Sequence, residues 1–172
     1  MKKLFLIFGL VFILAGCSNQ VEIGIDEDVE DNKLAYLDIK DNLTNQEDFS
    51  NLEDIPCNIT ASVDRINEEE ISYRIIIDDP KVNMYDVEAL LIHNNFTEDI
   101  FPSIGILDET ESLLVDGQDV KGISLVGYIE TTKEISELDL ELRLWLKYID
   151  EEGLDHEFYY KVDDFSTNID NN

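Results

Sequence analysis

Two histidines, His93 and His156, are the only side chains of this chain whose ordinary pKa lies near neutral pH. They would serve as general acids or bases, which requires a nucleophile or a metal ion within hydrogen-bond reach. They lie in different predicted strands, one just before a loop and one just after a turn. The sequence contains no serine nucleophile elbow, zinc-binding helix, phosphate loop or dinucleotide fingerprint. We therefore predict no enzyme and no cofactor, and a hydrolase ranks third among the functions that the sequence allows.

Carboxylates are the next side chains able to do chemistry, because the chain has 40 acidic and 12 basic residues. Acid-rich loops at the end of a β-sandwich can bind Ca²⁺ through oxygen ligands. No acidic run has the spacing of a calcium loop, so the sequence predicts no metal site. Binding of a divalent cation or a small ligand stays as the alternative function, and its weak candidate ligands surround Gly153: Asp150, Glu152 and Asp155.

Cys17 is a third candidate, because it ends an apolar N-terminal segment. Residues 1–3 are a short basic start, residues 4–14 are apolar, and residues 18–20 are polar. This order is typical of a secretory signal peptide. The apolar segment is too short for a transmembrane helix, which needs about 20 residues. Its last four residues, Leu14-Ala15-Gly16-Cys17, resemble the lipobox of bacterial lipoproteins.

The lipobox resemblance implies that residues 1–16 are removed as a signal peptide. Cys17 would then carry a diacylglyceryl group, and two acyl chains are enough for stable attachment to a membrane. The predicted location is the extracytoplasmic face of the cell membrane. A signal peptide without lipidation is the alternative.

The formal net charge of −28 limits the partners of the chain. Nucleic acid and anionic lipid surfaces would repel it over a Debye length of about 8 Å at physiological salt. The charge is compatible with a basic protein partner or divalent cations, and equally with simple solubility. We therefore predict a membrane-anchored chain that binds an envelope protein and no nucleic acid.

Residues 17–57 are predicted to form the lipidated cysteine and a flexible acidic tether. The apolar residues of this segment could instead form a short helix or strand that docks on the domain: Leu34, Tyr36, Leu37, Ile39 and Leu43. Cys57, the second cysteine, has no partner for a disulfide if Cys17 is lipidated. A buried apolar role is favoured for Cys57 over a reactive one.

A two-residue period begins at Asn58 and predicts β-strands. The clearest example runs from Leu138 to Ile149, where apolar residues alternate with polar ones. The strand count and spacing over residues 58–165 predict an all-β fold, an immunoglobulin-like antiparallel β-sandwich of seven to eight strands. A small barrel is the alternative fold, and residues 166–172 are predicted to be a disordered tail.

The runs Ile76–Met84 and Phe101–Asp108 loosely resemble uncharacterised lipoprotein domains of low-GC Gram-positive bacteria. This resemblance implies no known activity. Binding is instead predicted from apolar residues at positions where polar ones are expected. They are the loop residues Phe96, Phe101 and Pro102, and Trp145 on the polar face of its strand. Their alternative role is to close one end of the sandwich or, for Trp145, to be covered by the docked tether.

Overall fold

The computed structural model describes residues 27–94, 100–117, 122–162 and 165–168. These residues form one α-helix and nine β-strands, with short 3₁₀ turns at Leu52–Asp54 and Ile135–Glu137. In chain order the elements are α1 (Glu27–Asn45), β1 (Asn58–Asn67), β2 (Glu70–Asp78), β3 (Met84–His93), β4 (Ser103–Ile104), β5 (Glu111–Leu113), β6 (Gly122–Glu130), β7 (Leu142–Ile149), β8 (Asp155–Lys161) and β9 (Ser166–Asn168).

The strands form two sheets that pack face to face. The first sheet has the order β6-β2-β1-β9, and the second has the order β4-β3-β7-β8 with β5 also paired to β3. Every pairing is antiparallel except that of β9 with β1. The orders β6-β2-β1 and β3-β7-β8 correspond to strands E-B-A and C-F-G of an immunoglobulin-like sandwich. The predicted sandwich is confirmed, and the barrel alternative is wrong because the two sheets do not close.

The core lies between the sheets and follows from the alternation of side chains along each strand. In β6, Ile123, Leu125 and Ile129 are buried, whereas Ser124 and Tyr128 between them are exposed. The first sheet has a regular register, with β2 paired to β6 from Glu70↔Glu130 to Asp78↔Gly122. Burial of one apolar face per strand thus fixes the two-sheet arrangement.

Helix α1 adds a third layer, which covers the outer face of the second sheet. Its stripe of Tyr36, Ile39 and Leu43 has helical spacing and packs against apolar side chains of β3 and β7. The segment after α1 continues along the sandwich, where the Ser50 N–H donates to the Tyr159 carbonyl at 2.7 Å. Ile55 and Cys57 then enter the core.

This arrangement corrects the predicted tether over residues 27–57. The helical alternative for the apolar residues holds, and the chain is packed against the sandwich from α1 to β1. The physical reason is an apolar patch on the outer face of the second sheet, which the helix removes from water. Residues 17–26 of the predicted tether, and the predicted signal peptide 1–16, lie outside the described residues.

The predicted disordered tail needs correction at residues 166–168, whereas residues 169–172 lie outside the described residues. Residues Ser166–Asn168 form β9, which pairs in parallel with β1 from Ser62↔Ser166 to Asp64↔Asn168. A three-residue polar segment carries no alternation by which a strand could be predicted. The open edge of β1 supplies the hydrogen bonds that hold it.

Candidate functional site

The main candidate site is the outer face of the second sheet together with the helix that covers it. We call this region the helix-covered face. Its side chains form a second apolar cluster, separate from the sandwich core, which consists of Tyr36, Leu43, Leu90, Ile92, Phe101, Ile106 and Trp145. Leu90 and Ile92 lie on β3 and Trp145 on β7, so that three elements of secondary structure meet here. From Ala89 to His93, both faces of β3 are consequently buried.

Tyr36 joins α1 to the loop between β3 and β4. Its hydroxyl accepts a hydrogen bond from the Phe101 N–H at 2.6 Å and lies 3.5 Å from the Phe101 carbonyl oxygen. The Lys40 ammonium lies 5.2 Å from the centre of the Phe101 ring, a cation–π contact. The helix therefore holds both the backbone and the ring of Phe101.

Arg143 of β7 caps the C-terminal end of α1. Its Nη1 donates to the carbonyl oxygens of Thr44 at 2.7 Å and Leu43 at 3.2 Å, and lies 3.4 Å from that of Gln46. The last carbonyls of a helix have no partner within the helix and carry partial negative charge. Because α1 has no basic residue in its last turn, the sheet supplies the positive charge.

Glu141 orients this guanidinium group. Its Oε1 accepts a hydrogen bond from Arg143 Nε at 2.7 Å, and its Oε2 pairs with Lys161. Hydrogen bonds from Lys161, and then from Arg143, lower the pKa of the Glu141 carboxyl group. The Arg143 guanidinium also lies 5.4 Å from the centre of the Phe49 ring. Arg143 thus links the sheet, the helix end and the segment that follows it.

We expect Arg143→Ala to loosen the C-terminal end of α1, because charge-assisted hydrogen bonds to its carbonyls are lost. Amide hydrogen exchange in the last two turns of α1 should accelerate about tenfold or more, since hydrogen bonds to charged groups contribute about 1.5–3 kcal/mol. Lys161→Ala is the matched control, because Lys161 also contacts Glu141 but does not reach α1. Equal exchange in the two variants would contradict the capping role.

The predicted binding residues are placed by the structure as follows. Phe101 and Trp145 are 1% and 3% exposed, so both lie beneath α1 and not on an open surface. Trp145 donates from Nε1 to Glu157 Oε1 at 2.5 Å. Pro102 is partly buried, and its carbonyl accepts the Leu91 N–H at 3.0 Å. Phe96 lies outside the described residues. Phe101 and Trp145 pack in the apolar cluster that α1 covers, and their binding role stays a prediction.

The two histidines lie in different parts of the second sheet. His93 is buried, and its ring makes edge contacts with Tyr73 and Phe101, each at 5.1 Å between ring centres. His156 stacks on Tyr148 at 4.9 Å. His93 pairs with Leu142 at the start of β7 and His156 with Tyr148 near its end, a separation of about 20 Å along the strand. They do not share a cleft.

The turn between β7 and β8 is organised by Asp150. Its Oδ2 lies 2.7 Å from His156 Nε2, and its Oδ1 accepts the N–H groups of Glu152 at 2.8 Å and Leu154 at 2.9 Å. Both carboxylate oxygens of Asp150 are therefore bonded to groups of this turn or of the start of β8. Asp155 is the first residue of β8. In the described part of the chain, no group of three histidine, cysteine or acidic residues is arranged to hold a metal ion.

We expect the Asp150 carboxyl group to titrate below the ordinary aspartate pKa of about 3.9. The hydrogen bond from His156, and then that from the Leu154 N–H, lower its pKa. A lowered pKa in the folded state stabilises the fold above the unfolded value, and this stabilisation is lost as the pH falls through the folded value. Carbon-13 NMR titration of Asp150 measures this pKa. His156→Ala should raise it towards 3.9, and no change would contradict the assigned cause.

Cys57 is buried in the core, which confirms the apolar role favoured from the sequence. Burial raises the pKa of its thiol to about 12. At pH 8 only about one molecule in 10⁴ would carry the reactive thiolate. In a chain that begins at Ser18, and so lacks Cys17, we expect iodoacetamide to leave the folded protein unlabelled for hours and to label it at once in denaturant. Rapid labelling of the folded chain would contradict the burial of Cys57.

No helix in the described residues is long and apolar enough to cross a membrane. Comparison with known proteins gave one family match, in which residues 1–18 fit the family described as prokaryotic membrane lipoprotein lipid attachment site. No curated protein matches the chain. The match supports a bacterial lipoprotein that is anchored to a membrane, as the lipobox predicted, and Cys17 as the lipidated residue stays a prediction. The resemblance of the sandwich to Gram-positive lipoprotein domains stays a prediction.

Proposed function

We propose that this lipoprotein is a non-enzymatic binding module, which holds its sandwich on the outer side of the cell membrane for a protein partner in the envelope. The observation that carries the proposal is what surrounds three side chains of the described residues that could act as a nucleophile or as an acid or base near neutral pH, namely one thiol and two imidazoles. Cys57 is buried with a raised pKa, His93 is packed between aromatic rings, and His156 on β8 is hydrogen-bonded to Asp150 of the preceding turn. Each of them has a structural role at a separate place.

The position of α1 supports presentation close to the membrane. The roughly ten residues between Cys17 and Glu27 can span at most about 35 Å when fully extended. Tyr36 and Arg143 hold α1 against the sheet. The sandwich therefore cannot move much farther from the membrane than these residues allow. Such an arrangement favours a partner that lies in or next to the same membrane.

Exposed apolar side chains favour a binding function over a surface that serves only to keep the protein soluble. Leu34 and Leu37 of α1 are 56% and 43% exposed, and Ile100, next to the helix-bound Phe101, is 70% exposed. Single exposed apolar residues are ordinary on protein surfaces. Leu34 and Leu37, three residues apart on α1, are neighbours on the helix surface, and adjacent exposed apolar residues are more typical of an interaction site.

Chemical crosslinking on intact cells tests this function. The full lipidated chain is crosslinked, purified from solubilised membranes and analysed by mass spectrometry. We expect one envelope protein to be enriched in a fixed ratio to the chain. The Cys17→Ser variant, which cannot be lipidated, is the control and should lose most of this enrichment. Absence of any enriched protein from the lipidated sample would contradict the proposed function.

A further inference from the structure

Strand β6 forms a long, open edge of the first sheet. It lies at the end of the order β6-β2-β1-β9 and pairs along its whole length with β2 only. Within the described part of the chain, no backbone hydrogen bond reaches residues 123–129 from outside that ladder. In an antiparallel pair about half of the residues point their N–H and C=O groups away from the partner strand. These groups of β6 are available to another extended chain.

The other edges of the described sheets are short, charged or covered. Strands β4 and β9 have two and three residues. Strand β8 carries Asp155, Glu157 and Lys161, and the Ser50 N–H occupies its Tyr159 carbonyl. Short length, charges and covering segments are the usual protection of an edge against pairing with other chains. By contrast, residues 123–129 of β6 include no charged residue and no proline.

We propose that the edge of β6 binds an extended segment of the protein partner, which adds to the first sheet as a further strand. The inference rests on the proposed binding function and names one surface for it, which is distinct from the exposed apolar residues of α1. Main-chain hydrogen bonds would provide the affinity, and alternate side chains of the partner strand would lie beside Ser124, Val126 and Tyr128. Tyr128, which is 53% exposed, offers a large apolar surface next to that edge.

Charge determines which segment fits. An open depression at one end of β6 is lined by Glu69, Glu70 and Glu130 together with Asn67, Thr131 and Thr132. Two cations lie nearby, namely Arg65, whose Nη1 donates to the Thr131 carbonyl at 2.7 Å, and Lys133, whose carbonyl accepts a hydrogen bond from Arg65 Nη2. The three acidic residues outweigh these two cations. The partner strand is therefore apolar along its length, with a lysine or arginine at the end that reaches the depression.

The same charge disfavours a second copy of this chain as the occupant. Two copies that paired through β6 would bring together molecules with a formal charge of −28 each. In the antiparallel arrangement, Glu130 of each copy would add negative charge to an end of the joint sheet. Like charges across such an interface cost affinity, whereas a basic end on a partner strand gains it.

The test combines position-specific crosslinking with variants of the full lipidated chain in intact cells. A photoreactive amino acid replaces Tyr128 on β6 or, as control, Leu154 in the turn between β7 and β8. A double variant, Ser124→Lys with Tyr128→Lys, adds two charges to the edge. Asn51→Lys with Thr60→Lys makes the same charge change on exposed positions outside both β6 and α1 and is the matched control. Hydrogen exchange of the captured complex reports protection of the β6 amides.

We expect the probe at position 128, but not that at 154, to crosslink to a partner segment with strand-like alternation and a basic residue at one end. The edge variant should reduce capture at least tenfold while the control variant does not, and both should unfold at the same denaturant concentration. The β6 amides should become protected in the complex. If the partner is captured but both variants retain it and β6 is unprotected, this inference fails and the proposed function stands. A crosslink from position 128 to a second copy overturns the choice of occupant.

Discussion

Replacing Trp145 by alanine is expected to lower the free energy of unfolding by about 3–5 kcal/mol, the range for large aromatic residues in cores. Trp145 lies on the outer face of β7 and is only 3% exposed, because α1 covers it. Alanine would leave a cavity under the helix and remove the hydrogen bond to Glu157. Glu157 keeps its bond from the Tyr159 hydroxyl at 2.8 Å, so lost packing provides most of the effect.

Denaturant unfolding of the chain that begins at Ser18 measures this change. Hydrogen exchange should show that the amides of α1 lose protection before those of the two sheets, because the helix rests on the missing side chain. Leu154→Ala is the control, since Leu154 is 55% exposed and should change stability by about 0.5 kcal/mol or less. A loss below about 1 kcal/mol for Trp145→Ala would mean that α1 does not cover this face in solution.

Gly127→Ala is expected to cost about 1–3 kcal/mol, as added atoms in a packed core usually do. Gly127 pairs with Tyr73 across β6 and β2. A Cβ at position 127 would overlap with Cζ and Oη of the Tyr73 side chain. Tyr73 is fully buried and its ring contacts His93, so it cannot move aside without disturbing the core. Glycine is required here by the close approach of the ring.

A double variant separates this clash from a general effect of glycine. In the background of Tyr73→Ala the ring is absent, and Gly127→Ala should become neutral or stabilising, since alanine is favoured over glycine within a strand by about 0.5–1 kcal/mol. Ser124→Ala on the exposed side of β6 is the control and should change little. An unchanged cost of Gly127→Ala in the Tyr73→Ala background would contradict the assigned contact.

The sandwich could be predicted from the sequence because the alternation of apolar and polar residues along a strand depends only on neighbouring residues. From Leu142 to Ile149, each residue that the pattern assigns to the core is buried. The predicted strand began earlier, at Leu138, but a 3₁₀ turn at Ile135–Glu137 precedes β7 and the chain enters the sheet only at Leu142. Alternation identifies faces of strands better than it identifies their ends.

The helix-covered face could be predicted only in part, since its determinants are distant along the chain. Only three apolar residues of α1, at helical spacing in an otherwise acidic sequence, pack against the sheet. The C-terminal end of the helix is bonded to Arg143, which lies 99 residues beyond Thr44. The sequence offered two signals, namely a tryptophan on a polar strand face and an arginine beside it. From the sequence, Trp145 is predicted to bind a partner or to be covered by the tether, and nothing near Arg143 predicts that it caps α1.

An exchange of anchors tests whether the sandwich itself binds the envelope partner. Residues 1–26 are fused to an unrelated soluble carrier protein, and this fusion and the full chain are expressed at equal levels in the same cells. Crosslinking and quantitative mass spectrometry then compare the proteins captured by each. If the described domain is the binding module, only the full chain enriches the partner, in a fixed ratio. Equal enrichment by the carrier fusion, or no enrichment by the full chain, would contradict the function proposed here.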